Sequence, residues 1–211
     1  TPESRIAAGA QPGWGDLKDR ASLDAAVAGV DTVITTANGV KRGGEDTIET
    51  VDRQGTLNLI DAAQKAGVGR FVYTSVQEAS LDNPNRLWQI KAECEQAVVR
   101  SGMTYTLVQP SIFMEVWIGM VVGMALMSGQ PINLIGRGDH AHNFIAEQDV
   151  ADYMVAMVDN PDVPYLPPAA SPILTTMEAF EDHMDPAEQA AIYGVRPGTL
   201  DDYIDRTFVR R

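Results

Sequence analysis

"GTLNLIDAAQKAGVGRFVYTS", residues 55–75, is a helix-forming sequence followed directly by a strand-forming one. Its first half carries Leu59, Ile60 and Ala63 at helical spacing, and Gly67 can close the helix. Its second half, "RFVYTS", is an apolar and β-branched run of the kind that forms a strand covered on both faces. A helix that leads at once into such a strand predicts one repeat of a parallel α/β sheet.

The same alternation continues on both sides of this stretch. "DTVITTA" (Asp31 to Ala37) and "TYTLVQP" (Thr104 to Pro110) predict two more buried strands, and a helical face that begins at Leu87 separates the second of them from residues 55–75. The sequence therefore predicts an α/β fold, a doubly wound parallel sheet with right-handed crossovers. We also expect strands at "QPGWGDL" (residues 11–17), "PINLIG" (131–136) and "HNFIA" (142–146), and helices at "SLDAAVAG" (22–29) and at "DVADYMVAMV" (149–158), the last with Asp149 as N-cap.

Composition excludes several classes of function. The chain has 211 residues, 45% of them hydrophobic, and a formal net charge of −13. Because no basic stripe is present to displace counterions, we expect no nucleic-acid partner. The single cysteine, Cys94, excludes an internal disulfide and fits a reducing cytoplasm, where we expect the protein.

Two local patterns invite further interpretations that we set aside. The apolar run "IFMEVWIGMVVGMALM" (Ile112 to Met127) is shorter than the roughly 20 residues that span a bilayer and contains Glu115, so we expect a buried or pocket-lining helix and no membrane partner. His140 and His142 lie in a Gly/Asp-rich turn without an acidic or cysteine ligand cluster, so we expect a surface loop there and no metal.

Four segments together resemble one family. They are "GDLKDRASLDAAVAGVDTVI" (residues 15–34), "TTANG" (35–39), the stretch 55–75 and "FIAEQDVADY" (144–153). As a set they resemble the NmrA-like branch of the atypical short-chain dehydrogenase/reductases, a Rossmann-type family with NAD(P)H-dependent quinone and triphenylmethane-dye reductases that is similar to isoflavone reductases. The resemblance runs in register from about Ile6 to Pro161.

The resemblance implies an NADPH or NADH cofactor and a site at the carboxyl ends of the strands, where ligands of open parallel sheets lie. It places the adenine at Asp16 and Leu17, although Asp16 can also cap the turn after it. Small residues allow a close backbone approach to a ribose or pyrophosphate after the strand at 31–37, although an Asn-Gly pair also suits a turn; they are Thr36, Ala37, Asn38 and Gly39.

The resemblance assigns the nicotinamide end to Ser75 and Lys91, which are the predicted catalytic residues, and to the loop Pro110, Ser111 and Ile112. Ser75 can instead bond a nearby backbone carbonyl, and Lys91 can be a solvated lysine between acidic neighbours. Phe113 and Trp117 are the predicted substrate-pocket residues, although core packing also explains a run rich in methionine.

The chain departs from the family at the acid. Many relatives carry a tyrosine four residues before the lysine, and this chain has Leu87. Quinones and conjugated cations accept hydride first and a solvent proton later, so we predict a reductase of small apolar electrophiles that works without the tyrosine. A non-catalytic dinucleotide sensor of the NmrA type fits Leu87 as well. An isomerase or dehydratase of the extended branch is a third alternative, but those usually keep the tyrosine.

The chain also departs from the family in extent. The family opens with a strand and a G-x-x-G-x-x-G turn that holds the pyrophosphate, and the sequence shows no such turn. Residues near 162–166 look abridged. We expect a dinucleotide-binding domain over residues 1–160 and a helical substrate-side segment over 161–211, a small-molecule substrate, and a monomer or homodimer.

Overall fold

The computed structural model describes residue 6 and residues 8–40, 42–132, 142–159, 191, 194–196 and 198–209. The chain divides into two compact units. The first comprises Thr1–Ser75 and Ala79–Leu107, and the second comprises Val76–Glu78 and Val108–Arg211. The expected segment 161–211 lies largely outside the described residues, as do most of the expected strand 131–136 and His140.

The first unit contains a parallel α/β arrangement built around a three-stranded sheet. Strands β1 and β2 run parallel, with Val33 opposite Phe71, and the strand order is β1-β2-β3. In chain order the elements are α1 (Arg20–Ala26), β1 (Thr32–Thr35), a π-helical segment (Ile48–Gly55), α2 (Thr56–Ala66), β2 (Arg70–Thr74), α3 (Arg86–Arg100) and β3 (Thr104–Val108). The predicted fold class is confirmed.

Strand β2 is the centre of this unit. Phe71, Val72 and Tyr73 are almost completely buried, which requires cover on both faces of the strand. Helices α2 and α3 supply Ile60 and Ile90 to the same core. The uninterrupted apolar run of the sequence therefore forms the middle strand because both of its faces are removed from water.

The helix boundaries follow from local chemistry. At its amino end α3 is capped by Asn85, whose side chain accepts a hydrogen bond from the Leu87 amide at 3.0 Å. Helix α2 ends at Gly67, which adopts φ 74°, a left-handed conformation that favours glycine. The sequence predicted this stop.

The described residues of the second unit include a two-stranded sheet and a buried cluster of their own. Its elements are β4 (Ile112–Phe113), a π-helical segment (Glu115–Gly123), α4 (Met124–Met127), β5 (Phe144–Ile145), α5 (Glu147–Asp159), α6 (Leu200–Ile204) and a second π-helical segment (Asp205–Val209). Strands β4 and β5 pair in parallel. Met114, Ala146 and Tyr203 form the buried cluster, and Ile118 and Phe144 pack against it.

Two expectations about the backbone are wrong. Residues 11–16 are irregular rather than a strand, because Pro12, Gly13 and Gly15 weaken strand formation and Trp14 projects into solvent. Asp149 is not an N-cap. It lies in the first turn of α5, buried, where its carboxylate accepts from the Gly198 amide at 2.9 Å.

The apolar run at residues 112–127 is also less buried than expected. Met114 is buried, but Met120, Met124, Leu126 and Met127 are exposed. The prediction of a buried helix is therefore wrong for most of this segment, and its alternative, that the run lines a pocket, stays a prediction. Among the helices that the structure describes, none has the length and apolar character needed to cross a membrane.

Candidate nicotinamide-dinucleotide site

Lys91 lies on α3 with its side chain directed at the carboxyl end of β2. The residue is only 7% exposed, so the predicted alternative of a solvated lysine does not hold. Its ammonium donates to the Thr74 carbonyl oxygen at 3.2 Å and lies 5.2 Å from the centre of the Tyr73 ring. A cation over an aromatic face is favourable, particularly where water is excluded. Lys91 is therefore a buried ammonium at the end of the central strand.

An acid not foreseen from the sequence faces this lysine. Asp52, in the π-helical segment before α2, is 0% exposed. Its Oδ1 lies 3.6 Å from Lys91 Nζ, an ion-pair distance, and its Oδ2 accepts from the Gly39 amide at 2.8 Å. The pair is consistent with the rule that buried charges are matched by an opposite charge.

The burial of this cluster changes the acidity of three groups. Burial lowers the pKa of the Lys91 ammonium, and the nearby Asp52 carboxylate opposes that effect. Burial raises the pKa of the Tyr73 phenol far above its ordinary value, and the neighbouring Cys94 thiol adds to the rise. Burial raises the pKa of the Cys94 thiol to about 11, and its Sγ donates to the Asp52 carbonyl oxygen at 3.4 Å. Of these three groups, only Lys91 has its pKa shifted toward neutral pH.

Ser75 follows β2 directly. It is buried, and within the described residues its Oγ has no hydrogen-bond partner. The alternative that this hydroxyl bonds a nearby backbone carbonyl is therefore not seen. A buried hydroxyl without a partner costs free energy, and an incoming ligand with a hydroxyl or carbonyl group can recover it.

The loop after β1 meets the same cluster through its last residue. Thr36, Ala37 and Asn38 are exposed, whereas Gly39 is buried. A Cβ on Gly39 would lie 2.7 Å from the Thr47 carbonyl oxygen, inside contact distance. Glycine is thus required here by the close approach of the π-helical segment, in addition to any approach of a ligand.

Asp16 and Leu17 lie apart from the lysine cluster in their contacts. Asp16 Oδ1 accepts from the Lys18 amide at 2.8 Å, so the carboxylate caps its own turn and keeps its second oxygen for another donor. The Leu17 carbonyl accepts from the Asn58 side chain at 3.1 Å. A Cβ on Gly55 would lie 2.7 Å from Leu17 Cβ, so Gly55 lets this turn pack on the helical segment.

The remaining predicted residues belong to the second unit. Pro110 is buried, and its carbonyl accepts from the Gln77 amide at 3.1 Å. Ser111, Ile112 and Phe113 are half-buried, and Ile112 pairs with Phe144. Trp117 is 41% exposed. These residues stay predicted nicotinamide-loop and substrate contacts.

The structure thus joins Gly39, Lys91 and the end of β2 through one residue that sequence reasoning missed. A signal for Asp52 was present in the sequence, since Asp52 stands four residues after Ile48 and eight before Ile60, on the same face of a helix. An acid on an apolar helix face predicts a partner in the core. Among the described residues, no group of three or more His, Cys, Asp or Glu side chains is arranged to hold a metal ion.

A parallel sheet flanked by helices, with a polar cluster at the carboxyl end of its middle strand, is the arrangement in which open α/β sheets bind ligands, as Rossmann-type dinucleotide-binding proteins do. Residues 2–161 match the model of a family described as NAD(P)H-binding, and the chain belongs to that family.

The chain is also similar to individual proteins. An NAD(P)H azoreductase of Xenophilus azovorans is 32% identical over 74% of this chain and 50% of its own length. A photosystem II assembly factor of Synechocystis sp. is 30% identical over 69% of this chain and 44% of its own. The crystal structure of an NADPH-dependent quinone oxidoreductase of Escherichia coli, complexed with NADPH, superimposes with a TM-score of 0.57 at 26% identity, covering 74% of this chain and 51% of that one.

The resemblance seen in the sequence is confirmed, and so is the nicotinamide dinucleotide as cofactor. The chain spans about half the length of the curated relatives it matches. The residues of the first unit fit the ribose end of such a cofactor, because the buried Ser75 hydroxyl and the Lys91 ammonium are the donors that ribose hydroxyls accept from.

Proposed function

We propose that this protein is a cytoplasmic NAD(P)H-dependent reductase that passes hydride to a small apolar acceptor such as a quinone. The observation that carries the proposal is the buried Lys91 ammonium, which bonds the Thr74 carbonyl at the carboxyl end of β2. The next residue, Ser75, has a buried hydroxyl with no partner among the described residues, and the chain has leucine at position 87. The azoreductase and quinone oxidoreductase relatives support it.

In this proposal the bound dinucleotide supplies hydride, and the protein supplies position and charge. Lys91 holds the nicotinamide ribose and stabilises the oxygen that becomes negative as the acceptor is reduced. Ser75 donates to the same region. A quinone that gains hydride becomes a hydroquinone anion, takes its proton from solvent, and leaves the cofactor oxidised. Because solvent supplies the proton, this reaction needs no tyrosine as a proton donor.

The test is NAD(P)H consumption with a panel of quinones and cationic dyes, in the wild type and in Lys91→Met. Methionine keeps much of the side-chain bulk and removes the charge. We expect turnover to fall by roughly tenfold to a thousandfold, the scale of one lost electrostatic contact, and to fall more than cofactor affinity does. Lys65→Met is the matched control, because Lys65 is exposed on α2 and pairs with Asp61.

A wild type that binds the cofactor yet reduces no acceptor would contradict the reductase. So would a Lys91→Met variant that loses affinity and turnover in equal proportion. Because the chain spans about half of its relatives, binding is compared between this chain and any longer form of the protein, and the cofactor is identified by mass spectrometry of the purified material.

A second candidate is a dinucleotide-binding protein that acts on a protein partner without catalysis. The observation that favours it is that the Lys91 ammonium already has partners within the protein, since it faces Asp52 and donates to the Thr74 carbonyl. The similarity to a photosystem II assembly factor supports it. This candidate predicts dinucleotide binding without turnover on any acceptor, together with partner affinity that differs between the oxidised and reduced cofactor.

A further inference from the structure

We infer that Asp52 is a positioning residue that fixes Lys91 and the loop after β1 as one unit, so that the two parts of the dinucleotide site are held by a single carboxylate. Its Oδ2 accepts from the Gly39 amide at 2.8 Å, and its Oδ1 lies 3.6 Å from Lys91 Nζ. The catalytic part of the inference rests on the proposed function. The coupling of the loop to the lysine does not.

The buried position of Asp52 restricts the groups that its carboxylate can contact. The residue is completely buried, and within the described residues Oδ1 has no hydrogen-bond partner. A buried carboxylate is costly unless a cation compensates it, and Lys91 is the cation that faces it. Both oxygens therefore contact groups of the proposed site, one through the loop amide and one through the ammonium.

The same geometry assigns Asp52 a role in keeping Lys91 charged. The groups that act on the Lys91 ammonium are Asp52, the Tyr73 ring, the Cys94 thiol on α3, and the half-buried Glu95. Cys94 and Tyr73 stay neutral at neutral pH because burial raises both of their pKa values. Asp52 is thus the strongest of the influences that oppose the effect of burial on the Lys91 pKa. It keeps the lysine protonated where burial favours the neutral amine.

The experiment compares the wild type with Asp52→Asn, which keeps the side-chain shape and removes the charge. Two measurements need no cofactor: the titration of the Lys91 side chain by NMR with labelled lysine, and hydrogen exchange of the Gly39 amide. We expect the Lys91 pKa to fall by about one unit or more and Gly39 to exchange about tenfold faster or more. Asp61→Asn, at an exposed acid on α2, is the control and should change neither.

A third measurement reads the catalytic part. If charged Lys91 is needed, NAD(P)H consumption declines as pH rises through the Lys91 pKa. In Asp52→Asn that decline should move to lower pH by the same amount as the NMR titration, and Asp52→Glu, which restores the charge, should move it back. A merely structural role for Asp52 would lower activity at every pH without moving the decline.

A folded Asp52→Asn with unchanged Lys91 titration and unchanged Gly39 exchange would overturn the inference. If Asp52→Asn does not fold, the double variant Asp52→Asn with Lys91→Met decides. Removal of both charges should restore a folded protein if they are a pair, and a double variant that is no more stable than the single one overturns the inference. A wild type without turnover rejects only the proposed function, because the two NMR readouts remain.

Discussion

At the scale of the residue, the buried polar cluster around Lys91 determines what each member can do. A lysine on the surface would be solvated and free to move, but contact with Asp52 and the Tyr73 ring holds the Lys91 ammonium in one position. The Cys94 thiol in the same cluster is a weaker acid than an exposed thiol and therefore a poorer nucleophile, because burial disfavours the thiolate. Identical side chains elsewhere in the chain would behave differently.

Cys94 gives a prediction about pH. Its pKa in the folded protein is raised to about 11 from 9.0, so the folded state holds the thiol proton where the unfolded chain has lost it. The stabilisation is complete below pH 9 and is lost as pH rises toward 11. We expect this one group to cost about 2–3 kcal/mol of unfolding free energy across that window, since each pKa unit corresponds to about 1.4 kcal/mol.

The measurement is urea unfolding of the wild type and of Cys94→Ala, below pH 9 and near pH 11. Lys91 and Tyr73 are present in both proteins, so the part of their contribution that does not depend on the thiol is removed when the two pH dependences are subtracted, and the part that depends on it is counted with Cys94. The wild type should lose more stability than the variant. Parallel pH dependences would show that the thiol is already accessible to water in the folded state.

At the scale of the element, the loop after β1 approaches the π-helical segment as closely as Gly55 approaches Leu17, the other close approach in the first unit that bears on the site. Gly39 meets the Thr47 carbonyl, and Thr47 in turn forms the capping box of that segment with Thr50. The amide of Gly39 also donates to Asp52, one turn further along. The start of the helix and the loop are therefore mutually dependent.

Gly39→Ala tests that dependence. Its Cβ would lie 2.7 Å from the Thr47 carbonyl oxygen and 3.2 Å from Val51 Cβ, and neither backbone nor a β-branched side chain can yield cheaply. We expect a destabilisation of about 1–3 kcal/mol, measured by thermal or denaturant unfolding. Gly13→Ala is the control, because nothing lies within 4 Å of its added Cβ. Equal stability of both variants would show that the loop moves freely away from the helix.

The elements of the first unit could be predicted because each carries its own signal. The apolar run 70–74, the glycine stop at Gly67 and the helical face of α3 are local properties, and the structure has all three. The strand expected at 11–17 rested on a weak local pattern, since the stretch contains Pro12, Gly13 and Gly15, and residues 11–16 are irregular in the structure. Where the local sequence signal was strong, it determined the element that forms.

The site was predicted less completely, for a physical reason. Positions at the ends of strands, such as Ser75, follow from topology, because parallel strands end on one side of a sheet. The partner of a buried charge does not follow, since it depends on which helix face turns inward and how deeply. Asp52 and Lys91 are 39 positions apart in the sequence (91 minus 52), and only the packing of α3 against the π-helical segment brings them together.

At the scale of the whole molecule, the described residues of the two units differ in how many buried apolar side chains they contribute. The core of the first unit contains Phe71, Tyr73, Ile90 and Val98, each essentially inaccessible to water. The described residues of the second unit contribute fewer buried apolar side chains, namely the cluster of Met114, Ala146 and Tyr203 together with Val108, Val150, Tyr153 and Met154. Because burial of apolar area is the main stabilising term, the first unit should be the more resistant to opening.

Hydrogen exchange followed by mass spectrometry checks this difference. We expect amides of Phe71, Val72 and Tyr73 in β2 to exchange at least tenfold more slowly than those of Phe144 and Ile145 in β5, because sub-global opening of the second unit requires less exposure of apolar surface. The ratio should narrow at denaturant concentrations that unfold the whole chain. Uniform protection under native conditions would mean that the two units open together.

The position of β1 at the end of the strand order has a practical consequence for anyone who handles this chain. Within the described residues β1 has a hydrogen-bonded neighbour on one side only, its sequence is the uncharged "TVIT", and Ile34 is 46% exposed. An apolar strand with a free row of amides and carbonyls is a template on which another chain can add. Concentrated samples should therefore be watched for slow oligomer growth, and a lysine at position 34 is the first solubilising substitution to try.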